Sequence, residues 1–350
     1  MNQDLELSER ERLILRAVVH TYITTAEPVG SRSVVRRFGL DLSAATVRNV
    51  MYDLEEAGFL QQLHTSSGRV PTDRGYRYYV DYLMRAQELT LAERTRIERE
   101  FRAKMDDADE VMRQTSHLLA LISHQTGIVE APAEENAMVR RIELVSVSEM
   151  RVAVMVVDNY GRVRTMMVPL DVPLEINKLA KLNGFLNEHL EGVPVNQLAS
   201  SLHETMRTLL DEQRQLAQAA VRVLDLVPHE RPGQLFLEGA TQLFEQPEFR
   251  DVNRAREVFN LLEERKRLAE LLRMRMDERG GARSWVVIGS ETQADGLEDI
   301  SVVASPYCVE GRTVGLLGVL GPRRMPYSRL TAVVEYTASM LGRFLTRLAG

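Results

Sequence analysis

One stretch of the chain carries side chains whose types and spacing suit contact with DNA. Ala45, Arg48, Asn49 and Tyr52 recur at i, i+3, i+4 and i+7, so on an α-helix they share one face. A small residue permits close approach, and arginine and asparagine side chains form hydrogen bonds with base edges and phosphates. The pattern is typical of a helix that enters a DNA groove, although an ordinary amphipathic surface helix has the same spacing.

The helix that must carry this face is predicted over residues 43–57. Ser43 is a favourable N-cap, and Gly58 stands where a helix usually ends. The opposite face is an apolar stripe suited to a core: Val47, Val50, Met51 and Leu54.

Two further helices are predicted before this one. Ser8-Glu-Arg-Glu11 has the form of a capping box that opens a helix to about Thr24. Ser31 is expected to cap a short helix that ends at Gly39. The order of helix, short helix, turn and helix indicates a helix-turn-helix. On it, Arg32 is a candidate phosphate contact, and Ser43 and Thr46 are candidate DNA-backbone contacts.

A β-hairpin is predicted directly after these helices. Residues 59–63 and 69–70 have strand character, and residues 64–68 between them have turn chemistry. Such a hairpin is a wing, which makes the N-terminal part a winged helix-turn-helix. Its candidate DNA contacts, with one from the following turn, are His64, Ser66, Arg69 and Arg74. A winged helix used for protein contact remains the alternative.

Bulk properties restrict the class of protein. The chain has 350 residues, 44% of them hydrophobic, and a single cysteine, which fits a cytoplasmic protein without an internal disulfide. No apolar run reaches the ~20 residues that a membrane span needs. Because the formal net charge is -6, any DNA contact must be local, and residues 31–48 do carry four arginines against one aspartate.

After the predicted hairpin, the spacing of apolar residues along the chain changes twice between strand-like and helix-like patterns. Three β-rich runs occupy residues 139–168 and three more occupy 285–320, and a helix follows from Ser328. About six antiparallel strands flanked by helices indicate an α+β domain. A mostly helical stretch interrupts this domain. It carries a heptad-spaced apolar stripe formed by Leu202, Leu209, Leu216 and Val223. Such a stripe packs on a partner helix, which lies either in the same chain or in a second copy.

No pattern of catalytic chemistry stands out. The seven histidines show no metal-ligand spacing, and no nucleophile with a neighbouring base or cofactor motif is present. The sequence therefore predicts a protein that is not an enzyme and that needs no cofactor or metal.

Five blocks of the sequence resemble the HrcA family of heat-inducible transcription repressors. The N-terminal blocks are Leu7-Ser-Glu-Arg-Glu-Arg-Leu-Ile-Leu15, Glu27-Pro-Val-Gly-Ser-Arg32, residues 42–60 and residues 64–77, and the C-terminal block is Gly318-Val-Leu-Gly-Pro-Arg-Arg-Met-Pro-Tyr327. The resemblance spans nearly the full chain, and its N-terminal blocks are the specific ones.

The resemblance implies a homodimer with a winged-helix DNA-binding domain, a GAF-like domain and a dimerisation domain inserted into the GAF-like fold. Combined with the patterns above, it predicts five segments: a DNA-binding domain at 1–85, a charged helical linker at 86–110, the GAF-like domain at 111–192 and 284–350, and a helical dimerisation insert at 193–283.

The resemblance also implies a function and partners. The expected activity is repression of chaperone operons through an inverted-repeat operator in double-stranded DNA, with release on heat stress. The chaperonin GroEL is expected to keep the repressor active. A winged-helix repressor that senses a metabolite in the GAF-like domain is the alternative.

Overall fold

The computed structural model describes most of the chain as a mixture of α-helices and antiparallel β-sheets. The described residues are 7–64, 67–102, 108–132, 137–148, 150–169, 176–206, 234–249, 251–278, 284–292 and 298–349.

The N-terminal part is a three-helix unit followed by a two-stranded sheet. The helices are α1 (Glu9–Thr25), α2 (Ser31–Phe38) and α3 (Ala44–Glu56). Strands β1 (Leu60–Gln62) and β2 (Arg69–Pro71) pair with each other. This order confirms the predicted helices and hairpin, because the aliphatic stripes do meet in one core: Ile14, Leu15, Val18, Val34, Val47, Met51 and Leu54.

Local hydrogen bonds explain where these helices begin and end. Ser8 and Glu11 form the predicted capping box, with the Ser8 amide donating to Glu11 Oε2 at 2.7 Å. After α3, Gly58 has a φ of +77°, which glycine adopts without strain. The N-cap of α2 is Gly30 rather than the predicted Ser31, which is the first helical residue.

Helix α4 (Asp73–Tyr78) follows β2 and continues as a π-helical turn (Tyr79–Leu83). It lies directly against the base of the hairpin. An ideal Cβ at Gly75 would stand 2.1 Å from the carbonyl oxygen of Phe59, so only glycine permits this approach.

The predicted linker over residues 86–110 is more structured than its charge pattern suggested. It contains α5 (Leu91–Glu100), in which Ile97 is fully buried. Phe101, just after α5, is also buried and stacks near Phe344 at a centroid distance of 6.0 Å. These two apolar side chains pack α5 against the domain that follows, and Glu93 and Glu98 of α5 accept hydrogen bonds from Arg329 and Tyr336.

The largest sheet has five antiparallel strands. In spatial order they are β7 (Leu235–Glu238), β3 (Thr126–Glu130), β10 (Arg312–Pro322), β9 (Ile300–Val309) and β8 (Trp285–Ile288). One face is covered by α6 (Ala108–Ser123) and the C-terminal helix, Tyr327–Ala349. The other face packs against α9 (Ala240–Phe244), α10 (Val252–Glu263) and α11 (Arg265–Glu278).

Successive side chains along each strand point to opposite faces of this sheet and contribute to two different hydrophobic cores. Val286 and Val303 join the core beneath α6, whereas Val287 and Val302 join the core beneath α9 to α11. The sheet is therefore buried on both sides, which explains why its strands read as continuous apolar runs.

The structure corrects the prediction of one sheet of about six strands. Strands β4 (Val139–Ser148), β5 (Arg151–Asp158) and β6 (Val163–Pro169) form a separate three-stranded sheet. The large sheet is completed by β3 and β7, which the sequence analysis missed because each is only a few residues long.

The outer edge of β4 is covered by side chains of the following helix. Asn183 and Asn187 of α7 (Ile176–Leu190) hydrogen-bond to its backbone. Asn183 Oδ1 accepts from the Leu144 amide at 2.7 Å, and Asn187 Oδ1 accepts from the Ile142 amide at 2.9 Å. The edge groups are thus paired with side chains and cannot continue the ladder.

The boundaries of the insert shift as a result. Because β3 and β7 are hydrogen-bonded neighbours, the excursion from the large sheet runs between Glu130 and Leu235 rather than over 193–283. It contains a sheet as well as α7 and α8 (Leu198–Met206). Helices α10 and α11, predicted to belong to it, pack on the large sheet instead.

The predicted dimerisation stripe is only partly visible. Leu202 lies in α8 and has no exposed surface, because it packs in the core of its own chain. Leu209, Leu216 and Val223 lie outside the described residues.

Among the described helices, none has the length and hydropathy to cross a membrane. Over the same residues, no three histidine, cysteine or acidic side chains come together as a metal site.

Candidate nucleic-acid interface

The exposed face of α3 is the one predicted from the sequence. Ala45, Arg48, Asn49 and Tyr52 are all exposed, Tyr52 at 52% of its surface. The opposite stripe is buried, so the predicted division of the helix surface is confirmed.

The start of α3 is fixed by its own side chains. Ser43 Oγ accepts a hydrogen bond from the Thr46 amide at 3.0 Å and lies 2.9 Å from Thr46 Oγ1. Such a cap contributes about 1 kcal/mol to a helix. Ser43 therefore positions the first turn, and it remains exposed there beside Ala45.

Exposed arginines flank this face on α2. Arg32, Arg36 and Arg37 are exposed, as is Arg48 on α3. Among the described residues, none of the four guanidinium groups forms an ion pair or hydrogen bond. In a chain with a net charge of -6, they make a local cationic surface.

The remaining residues predicted to contact DNA differ in their hydrogen bonds within the chain. Tyr52 donates its hydroxyl hydrogen to Glu56 Oε1 at 3.0 Å, and this bond raises the pKa of the tyrosine. His64 is exposed at the hairpin turn, where its backbone carbonyl accepts from Ser67 Oγ at 2.7 Å. Ser66 lies outside the described residues.

Arg69, a predicted DNA contact, has an ion-pair partner within the chain. Its Nε and Nη2 both lie 2.8 Å from Glu55 Oε2, and only 13% of its side chain is exposed. Its backbone also pairs with Val29, in the loop before α2. Arg69 thus ties the hairpin to the end of α3, and its charge is already neutralised.

Arg74 also has a structural partner. Its Nη1 donates to the carbonyl oxygen of Ala57 at 2.8 Å, and its guanidinium lies 4.5 Å from the centroid of the Phe59 ring. It therefore satisfies a carbonyl at the C-terminal end of α3, where a cation is favourable. Its side chain stays exposed, and a phosphate contact there remains a prediction.

The sequence analysis missed the contacts that attach this N-terminal unit to the large sheet. Asp73, at the start of α4, accepts from Arg323 Nη1 at 2.9 Å and from the Ser290 hydroxyl at 2.7 Å. Burial by itself raises the pKa of Asp73, but the hydrogen bonds from Ser290 and Arg323 outweigh it, so the pKa lies below its ordinary value.

A second pair lies one turn further along α4. Arg77 donates from Nε and Nη2 to the two carboxylate oxygens of Glu291, at 2.7 and 2.5 Å. Its Nη2 also reaches the Val286 carbonyl oxygen at 2.6 Å. Asp73, Arg77 and Arg323 stand in the sequence blocks that carry the family resemblance, whereas Glu291 does not. The partners in each pair are more than two hundred residues apart, so no local pattern predicts the pairing.

The whole arrangement is a surface for binding rather than for reaction. It presents an exposed helix face with hydrogen-bonding side chains, unpaired cations beside it, and a hairpin fastened to its far end. An Arg or Asn side chain on such a helix can form paired hydrogen bonds with a base edge.

Comparison with known proteins agrees with this reading. The family model described as "HrcA protein C terminal domain" matches residues 109–331. A heat-inducible transcription repressor HrcA from Geobacter sulfurreducens is 41% identical over 340 residues, covering 97% of this chain and 98% of that protein. The HrcA repressor of Pelotomaculum thermopropionicum is 36% identical over 345 residues, covering 98% of each.

A solved structure shares the fold. The crystal structure of a hypothetical protein at 2.2 Å resolution superposes with a TM-score of 0.66 at 23% identity, covering 98% of this chain and 100% of that one.

These relatives define the class of protein as a transcription repressor and not an enzyme. With identity above 30% over nearly the whole length, the chain belongs to the HrcA family of heat-inducible transcription repressors.

Proposed function

We propose that this protein represses heat-shock chaperone operons by binding an inverted-repeat operator as a homodimer. The observation that carries the proposal is the exposed polar face of α3, which includes Arg48, beside three exposed arginines of α2. Among the described residues these arginines have no partner, and the protein is acidic overall. The N-terminal unit then acts as a winged helix-turn-helix, with α3 as its recognition helix and the β1–β2 hairpin as its wing.

Each exposed side chain receives a role from its chemistry. Arg48 and Asn49 contact base edges in the major groove, and Ala45 lets the helix approach. Ser43 and Thr46 touch the DNA backbone next to the helix start. Arg32, together with the neighbouring α2 arginines, neutralises phosphates. Tyr52 and His64 border the interface on either side.

The homodimer follows from the symmetry of the operator, because a two-fold site is matched by a two-fold protein. The predicted leucine stripe gives little support for a contact, since Leu202 is buried in its own chain. The outer face of the three-stranded sheet gives more. Val145, Val163 and Met167 expose 43%, 59% and 62% of their surface, and Val145 and Met167 both stand opposite Ala153 in the register.

We infer that heat acts by separating the two N-terminal DNA-binding units of the homodimer. A dimer gains affinity because the second half-site binds within the same complex, and this gain disappears when the fold or the dimer is lost. The dependence on GroEL is carried over from the family resemblance: a protein near the limit of its stability relies on refolding for its active fraction. The same resemblance assigns a GAF-like fold to the large-sheet domain and a cytoplasmic location to the protein.

A footprint tests the proposal. The full-length protein, refolded with and without GroEL and ATP, is titrated onto promoter DNA of a chaperone operon at fixed salt. We expect protection of a symmetric element at the same face of the duplex in both halves, with a larger active fraction after refolding with GroEL. A protein that stays monomeric and protects no symmetric element contradicts it.

A further inference from the structure

A cleft lies where the N-terminal unit, the connector after α4 and the start of the C-terminal helix meet. Its volume is about 460 Å³. Arg16 and His20 of α1 line one side, Arg85 of the connector lines another, and Ser328 closes it at the C-terminal helix. This is within the range of volumes that small-molecule sites occupy, about 300–1,000 Å³.

The charge in this cleft is unbalanced. Of the described residues that line it, none is acidic. The side chains of Arg16 and Arg85 form no ion pair or hydrogen bond within the described part of the chain. Arg77 and Arg323 at the neighbouring domain contact each have carboxylate partners, so unpaired guanidinium groups are not the rule at this junction.

The same helix face continues the pattern. Arg12, Arg16 and His20 are spaced by four residues and therefore lie along one side of α1. Arg12 Nε is buried and has no hydrogen-bond partner. Arg12 is not among the residues that line the cleft, so it adds positive charge beside the cleft without contacting an occupant.

The remaining wall of the cleft is apolar. Phe38, Tyr79 and Leu83 line it, and the His20 ring meets Phe38 edge-on at 5.8 Å between centroids. Burial raises the pKa of Tyr79 while the nearby charge of Arg16 lowers it, so the ring and the guanidinium share one environment. Flat hydrocarbon surface thus stands beside two cations.

We propose that this cleft binds a small organic anion, a phosphorylated or carboxylated molecule with a ring. Its anionic group lies between Arg16 and Arg85, which suit bidentate contacts to phosphate or carboxylate. Its ring packs against Phe38 and Tyr79. A compound of the size of a nucleoside monophosphate fits the volume.

A molecule bound in this cleft connects the N-terminal unit to the segment after α4 and the C-terminal helix. These parts move separately if the contact between the N-terminal unit and the large sheet opens. The Ser328 hydroxyl donates to the Arg85 backbone carbonyl, so the connector is already tied to the C-terminal helix. A bound anion adds a contact between Arg85 and α1 of the N-terminal unit. An effect on operator affinity rests on the proposed function, whereas binding itself does not.

Direct titration without DNA tests the site. Inorganic phosphate, 4-iodobenzoate and AMP are titrated calorimetrically into the full-length protein, with adenosine as the uncharged probe. The test variant is Arg16→Gln with Arg85→Gln. Its matched control is Arg10→Gln with Arg96→Gln, which removes the same charge from exposed positions on α1 and α5. Circular dichroism verifies that both variants fold.

We expect saturable binding of at least one ringed anion by the wild-type protein and by the control, at least tenfold weaker binding by the test variant, and none of adenosine. Absence of saturable binding of all three anions overturns the proposal, as does equal affinity in both variants. None of these readouts requires that the proposed operator be correct.

Discussion

The Arg69 guanidinium donates a hydrogen bond from Nε to Glu55 Oε2 at 2.8 Å, and its Nη2 lies 2.8 Å from the same carboxylate oxygen. This pair connects the hairpin to the last turn of α3. The hairpin is therefore part of the framework that orients the exposed helix face.

This ion pair leads to a prediction that distinguishes a structural role of Arg69 from a role in contacting DNA. Arg69→Ala should destabilise the end of α3 by about 1–2 kcal/mol, because a half-buried carboxylate loses its charged partner. Hydrogen exchange of the α3 amides measures this. The salt dependence of DNA binding should keep its slope, and Arg10→Ala on the exposed side of α1 is the control. A slope reduced by about one unit would instead mean that Arg69 does neutralise a phosphate.

The close approach of α4 to the hairpin gives a second prediction. Gly75→Ala places a Cβ 2.1 Å from the Phe59 carbonyl oxygen, so we expect a loss of about 1–3 kcal/mol and a lower Tm. Gly184→Ala is the matched control, because no heavy atom lies within 4 Å of a Cβ there. In helix α7 that change should be neutral or stabilising by up to about 1 kcal/mol. Equal Tm values for the two variants would contradict the close contact.

Glu130 predicts a pH dependence of stability. Its side chain is 3% exposed, and burial raises its pKa to about 7 even though Arg273 donates to its Oε1. The pKa in the folded protein thus lies above the unfolded value near 4.5, so this group stabilises the fold below pH 4.5 and loses that contribution as pH rises through 7.

We therefore expect the free energy of unfolding of the wild-type protein to fall by about 2–3 kcal/mol more than that of Glu130→Gln between roughly pH 5 and 8. Urea unfolding monitored through Trp285, the single tryptophan and part of the same sheet, measures the difference. Glu270→Gln on the exposed side of α11 should behave as the wild type. Parallel pH profiles for all three proteins would contradict the raised pKa.

The exposed face of the three-stranded sheet leads to a prediction about the proposed homodimer. Met167→Glu should shift the protein toward monomer in sedimentation velocity, because it puts a charge on the exposed sheet face that carries Val145 and Val163. Leu91→Glu is the control: Leu91 is 81% exposed, but it lies on α5, away from this sheet. If only the control changed the sedimentation coefficient, the dimer contact would have to be sought elsewhere.

Local patterns were sufficient to predict the candidate interface. The i, i+3, i+4, i+7 spacing in α3 determines which side chains are buried, and the caps at Ser43 and Gly58 fix its ends. The partner of Arg69 could not be predicted, because Glu55 is 14 residues away and nothing in the spacing favours it over other carboxylates.

The sheet arrangement was beyond sequence patterns for a physical reason. Every strand of 139–168 and 285–320 was recognised, but strand propensity says nothing about which edges pair. The side chains of Asn183 and Asn187 close the β4 edge, and the short strand β7 completes the large sheet from a hundred residues away. Both depend on contacts that only the folded chain defines.

The central claim is that the exposed face of α3 reads a base sequence. It is tested most directly by the ratio of dissociation constants for operator and scrambled DNA at one salt concentration, measured for the wild type, Arg48→Ala and the distant control Arg96→Ala. We predict that Arg48→Ala loses about 1–3 kcal/mol for the operator, roughly 5- to 150-fold, with little loss for scrambled DNA, so that the ratio collapses while the control keeps it. An unchanged ratio for Arg48→Ala would contradict the account.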